Sequence, residues 1–331
     1  MDNNTLLTNT KNQLDSLVLL RGIAVLMVCF GHFGNALPKA QTSSDIFILF
    51  HTYGIYGVHI FFVISGFVIP LSLHKGKYKI NNYYRFLYKR FLRLHPPYLA
   101  ALALTLVIMY FSYRTRHLHF PENMLSILKS IFYLHAPNDN PVFWTLFVEA
   151  QYYIFIGFFF VLIMKRSWIA YFIVMPILLI AGQVLNHDVF LLFYYFVFFF
   201  VGNVGYMIYS GNGNKTMNYI VLAGLLLFIV FLYTLPAFIA AFVAITFILL
   251  FRKSLPPVLK FAGTISYSLY LIHFPVGTKI INFTKGKVSP SYNWILFFLT
   301  LIITLIVTWI FYKVVEEFSE RVSKKIKYNI T

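Results

Sequence analysis

The feature that most constrains this chain is a succession of long apolar stretches. Ten of them, roughly 17–37, 46–73, 96–113, 143–164, 167–185, 189–209, 217–233, 235–251, 257–281 and 291–314, are nearly free of charge. A helix needs about 20 such residues to cross the hydrocarbon core of a bilayer. Within lipid every backbone N–H and C=O must find its partner inside the chain, so only helices and closed barrels can span it. The stretches are continuous, whereas a membrane barrel needs alternation of apolar and polar residues. The sequence therefore predicts an all-α polytopic membrane bundle of about ten transmembrane helices. Turn residues mark the breaks at "NGNK" (212–215), "RKSLPP" (252–257) and "TKGKVSPS" (284–291). At Thr234-Leu235-Pro236 a loop and a kink are both open, because proline also kinks a continuous helix.

Composition agrees: 60% of the 331 residues are hydrophobic and 11% charged, against about a quarter charged in a soluble domain. The first apolar run is too long for a signal peptide and lacks a small-residue cleavage site, so it reads as a retained helix. The single cysteine, Cys29, leaves no intrachain disulfide. No repeat or linker divides the chain, which reads as one membrane domain over 1–331 with no fused soluble domain.

The net charge of +17 reports topology rather than nucleic-acid binding. With the N-terminus in the cytoplasm, nineteen of the 27 lysines and arginines fall on the cytoplasmic side and seven outside, with Arg21 inside a span. That bias places both termini in the cytoplasm. Residues 121–134, in the long outer loop, are expected to form an interfacial helix.

The first span, "LVLLRGIAVLMVCFGHFG" (17–34), holds two ionisable side chains. Arg21 and His32 are eleven residues apart, which leaves them about 20° out of register on one helix face and roughly 16 Å apart along the axis. Arg21 as a snorkelling cation and His32 as a hydrogen-bonded core histidine are the structural alternatives. Other spans weigh against them. Glu149 is the one acidic residue well inside a span, and rise per residue puts His32, Glu149, His273 and His51 at similar depth. Intramembrane ionisable groups are costly and commonly face a bundle interior or a wet cavity. A layer of them points to a site.

A second basic feature is "YYRFLYKRFLRLHPPY" (83–98). Arg90 and Arg93 are one helical turn apart, flanked by Lys89 and His95 and followed by Pro96-Pro97 at the expected membrane boundary. Topology alone accounts for Lys75, Lys77 and Lys79. It accounts less well for paired arginines, whose guanidiniums suit phosphate groups. Gly54, Gly57 and Gly66 read as close helix packing. His59 stays ambiguous. Tyr152 and Tyr153 read first as core or interfacial aromatics. There is no Walker loop, no HExxH helix and no Cys/His set of metal-ligand spacing, so no metal is expected.

Five motifs in order resemble acyltransferase family 3, the integral-membrane, acyl-CoA-dependent enzymes that acetylate bacterial cell-surface glycans. They are "RGIAVLMVCFGH" (Arg21 to His32), "GVHIFFVISGF" (57–67), "RFLRLHPPY" (90–98), "WTLFVEAQY" (144–152) and "SYSLYLIHFP" (266–275). The family's aspartate close to the opening arginine has its nearest counterpart in Asp15, six residues before Arg21. The resemblance implies an acyl-CoA donor, a glycan or lipid-linked sugar acceptor and a place in the bacterial inner membrane. It implies that Arg21, Arg90 and Arg93 hold the CoA, with His32 as general base and Glu149 orienting its imidazole. Trp144, Tyr152 and His273 would contact the acceptor. The rival reading is a secondary transporter using the buried His, Glu and Arg as a proton relay, although paired inverted halves are not visible. Acetyl transfer from CoA separates the two.

Overall fold

The computed structural model describes residues 3–37, 45–185, 191–251 and 253–328, with side chains from Asp15 onward except that of Asp45. Lys39, Arg252 and the side chain of Lys11, all counted for topology, lie outside the described set. Every regular element among the described residues is helical. The chain runs α1 (Asn3–Ala36), α2 (Asp45–Gly54), α3 (Tyr56–Lys75), α4 (Tyr83–Thr115), α5 (Met124–Ile131) and α6 (Trp144–Lys165). It continues through α7 (Ser167–Ile169), α8 (Met175–Val184), α9 (Leu191–Ser210), α10 (Lys215–Leu232) and α11 (Leu235–Leu250). The last elements are α12 (Pro257–Thr264), α13 (Ser266–His273), α14 (Lys279–Thr284), α15 (Asn293–Phe311) and α16 (Glu317–Lys324).

Among the described residues, eight helical stretches are long and apolar enough to cross a membrane. The other two expected spans are present in altered form. One is α11, 16 residues long, and Thr234 caps its start by accepting from the Ala237 N–H, so the break at 234–236 is a true turn. The other, expected over 257–281, is interrupted between α12 and α13 and by a π-helical turn, Phe274–Thr278, directly after His273.

The third expected span begins earlier than the sequence suggested. Pro96 and Pro97 lie inside α4, which runs unbroken from Tyr83. The stretch carrying Arg90 and Arg93, placed by the sequence ahead of the span, is therefore continuous with it. A proline loses its own N–H bond and crowds the preceding turn, but the Ser319 hydroxyl of α16 donates to the Leu92 and Arg93 carbonyls that the two prolines leave unpaired. The expected interfacial helix is α5, capped by Asn123 and Ser126. Its end turns inward: Ser130 is buried and accepts from the Tyr98 hydroxyl, and Tyr133 lies 3.0 Å from His95 Nδ1.

The centre of the bundle is the contact of α3 with α9 and of α1 with α2, α3 and α12. The glycines named above are packing residues. A Cβ on Gly66 would meet the backbone of Phe199, one on Gly57 the carbonyl of Ala24, and one on Gly54 the backbone of Gly31. Across from Gly66, Gly202 touches α3 in turn, so the two backbones lie against each other. Asp15 joins α1 to the approach of α12, 2.7 Å from Lys260 Nζ and 3.1 Å from the Leu255 N–H.

Candidate active site

The charged residues picked out by the sequence gather in a chamber of about 120 Å³ between α1, α3, α4, α6 and α13. Arg21 reaches it from α1, Arg90 and Arg93 from successive turns of α4, and Glu149 and Tyr153 from successive turns of α6. Arg90 is 6% exposed. Its guanidinium lies 5.7 Å from the Phe86 ring and 5.8 Å from the Tyr153 ring, and its Nε has no hydrogen-bond partner among the described residues. Arg93 meets Glu320 of α16 at 3.3 Å. The charges acting on Arg21 are those of Arg93, Glu316, Glu320 and Glu149. Glu316 is itself occupied, accepting from the Ser268 N–H at 3.0 Å and from the Ser268 hydroxyl. Three guanidiniums thus line one small space with a single carboxylate, Glu149, on its wall. Cations gathered away from water repel, and a buried donor without an acceptor is costly. An anionic ligand relieves both.

A second, smaller group lies beyond Tyr270. The rings of His32 and His273 are 5.3 Å apart between centroids, with Phe274 5.0 Å from His32. His273 is fully buried. Its Nδ1 lies 3.0 Å from the Leu269 carbonyl and 2.9 Å from that of Tyr270. A carbonyl only accepts, so Nδ1 carries the proton and Nε2 bears a lone pair. That Nε2 is buried and without a partner among the described residues. Tyr270 belongs to both places. Its ring is 5.9 Å from His273, it lines the arginine chamber, and its hydroxyl is fixed by Thr145 Oγ1 at 2.7 Å and the Val142 carbonyl at 3.0 Å.

The expected pairing of Glu149 with an imidazole is not the one present. The carboxylate accepts from the Ser65 hydroxyl at 3.3 Å and from the Tyr153 hydroxyl, within the arginine chamber. The imidazole beside His32 belongs to His273 instead. Tyr152, expected at the acceptor, is fully buried, stacks on Phe199 at 4.0 Å and donates to Asn203 at 3.1 Å. It joins α6 to α9 and leaves no surface for a ligand. Trp144 packs against Tyr195 and Phe62 rather than lining the chamber. His51 is exposed on α2 but within electrostatic reach of His32, and His59 sits among Tyr56, Tyr195 and Phe198.

Sequence reasoning missed Tyr153, Tyr267, Tyr270 and Ser65 on the chamber wall. Tyr270 and Tyr267 stand in the same motif as His273, three and six residues before it, which was the available signal. Among the described residues no three His, Cys, Asp or Glu side chains come together.

The family model described as an acyltransferase domain, Acyl_transf_3, matches residues 14–313. No curated protein and no solved structure matches the chain. The matched region contains the arginine chamber and the histidine pair, except that Glu316 and Glu320 lie just past its end. The chain belongs to acyltransferase family 3 and is a multi-pass membrane acyltransferase.

Proposed function

We propose that the protein moves an acyl group, in this reading acetyl, from acyl-CoA to a sugar hydroxyl of a cell-surface or lipid-linked glycan. In this reading it sits in the bacterial cytoplasmic membrane with both termini in the cytoplasm. The observation that carries the proposal is the arginine chamber set against the histidine pair, with Tyr270 touching both. Arg21, Arg90 and Arg93 bind the anionic donor, and Arg93 exchanges Glu320 for it. The slender pantetheine arm brings the thioester toward Tyr270.

His32 is the general base. It takes the proton of the acceptor hydroxyl as that oxygen attacks the thioester carbonyl. The new C–O bond forms, the C–S bond breaks, and the CoA sulfur leaves as thiolate, which takes the proton from the His32 imidazolium and so restores the neutral base. The His273 ring, 5.3 Å from that of His32 and with its Nε2 lone pair unclaimed among the described residues, supports the charge that His32 acquires. In this mechanism His273 takes over the role expected of Glu149. Glu149 instead balances the guanidiniums and holds Tyr153 and Ser65 in place.

The test is transfer of radiolabelled acetyl from acetyl-CoA by purified protein in nanodiscs, coupled to mass spectrometry of surface glycans from cells with and without it. Acetylated glycan that depends on the protein is expected. Unchanged glycans together with no CoA release would overturn the reading and return the buried charges to a transporter.

A further inference from the structure

A second cavity, of about 580 Å³, opens at the face where α3 ends and the C-terminal segment folds back. Five lysines line it: Lys75 and Lys77 from the end of α3, Lys89 from α4, and Lys324 and Lys327 from the C-terminal segment. No carboxylate does. Among the described residues only Lys324 of the five has an ion-pair partner, Glu320 at 3.2 Å. Val68 lines both this cavity and the arginine chamber, so the two adjoin. Lys75 lies seven residues further along α3, about 10 Å toward the surface.

The wall is built rather than loose. Helix α3 closes with the Tyr78 N–H on the Leu73 carbonyl at 3.0 Å and the Lys77 N–H on the His74 carbonyl at 2.9 Å. This is the Schellman closure, whose left-handed position commonly takes glycine. Here Lys77 occupies it, at φ 48°. The glycine stands one residue earlier, because the Tyr328 ring lies where a Cβ of Gly76 would project. Tyr328 is 3% exposed, its hydroxyl is 3.3 Å from Ser72 Oγ, and Lys89 Nζ sits 4.8 Å from its ring centre. Orientation in the membrane requires only that lysines lie on one side. It does not require three separated segments to bring them around one cavity that joins a chamber of arginines.

We infer that this lysine-lined cavity seats the 3′-phosphorylated adenosine end of the donor, leaving the diphosphate to reach the arginine chamber past Val68 and the pantetheine arm to run on toward Tyr270. The inference rests on the acyl-CoA reading above and adds where the nucleotide binds. The volume falls in the range of small-molecule sites. The lysines meet the negative charge of the nucleotide's 3′-phosphate, and the diphosphate is left to the arginines. Anionic phospholipid headgroups carry the same phosphate chemistry, and the experiment separates the two.

Wild type and the variant Lys75→Gln/Lys77→Gln/Lys89→Gln/Lys327→Gln are compared in nanodiscs of neutral lipid, with acetyl-CoA and with S-acetylpantetheine, which lacks the nucleotide. Binding of adenosine 3′,5′-bisphosphate is measured on the same samples. The wild type is expected to prefer acetyl-CoA strongly. The variant should lose about tenfold or more of that preference, since each charge-assisted contact contributes about that much, and should lose the bisphosphate. If the quadruple variant does not insert, Lys77→Gln/Lys327→Gln is used, with a smaller loss expected.

A preference that survives in the variant overturns the inference while the acyl-CoA reading stands. So does a defect seen only when anionic lipid is added, which would assign the cavity to headgroups. If the wild type transfers from neither donor, the acyl-CoA reading fails, and bisphosphate binding alone then decides: lysine-dependent binding supports a nucleotide seat and its absence overturns it.

Discussion

The arginine chamber and the histidine pair are neighbours built on opposite principles. The chamber gathers three guanidiniums, one carboxylate and three tyrosines around open space. The pair is two imidazoles packed among Phe33 and Phe274, with one nitrogen already tied to backbone. In the proposed reaction, charge is concentrated where the anionic donor is held and kept away from where the proton is taken. A base beside three cations would be a poor base, because nearby positive charge disfavours its protonation. The tyrosine that touches both lets them lie close without sharing one electrostatic environment.

The contrast is broken most directly at His32. His32→Gln keeps size and hydrogen bonding but cannot take the proton, so turnover should fall by about 10²–10⁴-fold while acyl-CoA binding stays. Near-normal turnover with intact protein would move the base elsewhere. Next in size is the chamber. Arg90→Ala and Arg93→Ala should each weaken donor binding by about tenfold or more, the loss of one charge-assisted contact, with a smaller change in kcat. Isothermal titration with CoA checks this, and unchanged affinity in both variants would leave these arginines to topology.

A sharper probe is the partition itself. Tyr270→Phe removes the hydroxyl that meets Thr145 and Val142. It should lower thermal stability by about 0.5–1.5 kcal/mol and perturb transfer less than either change above. A loss of transfer as large as that of His32→Gln would mean that the hydroxyl itself takes part in the chemistry. The smallest effect is expected at Tyr152→Phe, which removes one bond to Asn203. Stability should drop by about 1 kcal/mol with the acceptor KM unchanged. A raised acceptor KM would restore the substrate contact that the sequence suggested.

Much of this was legible in the sequence, and what was not has identifiable causes. Period and depth placed Arg21 near one end of its span and His32 near the other. The one-turn spacing of Arg90 and Arg93 put both in one chamber. Depth alone, however, carries no information on rotation about the helix axis. Glu149 and His32 were expected at one level, yet Glu149 faces Ser65 and His32 faces His273. The same ambiguity exchanged Tyr152 for Tyr153, adjacent residues about 100° apart on α6, of which the second lines the chamber. Local rules also failed at Pro96-Pro97, where the bundle holds as one helix what the sequence alone divides. Helix α16 was read only as topological charge, although its Glu320 reaches Arg93.

The glycine contact between α3 and α9 has a mechanical consequence. With Gly66 and Gly202 backbone against backbone, α3 and α9 are two staves without a gap between them, and neither can slide inward or rotate a side chain into the seam. The α3 wall of the chamber is therefore an anvil. In the proposed reaction a widening that admits the donor is expected at the other walls, of which α4 is tied to α16 by the Arg93–Glu320 bridge.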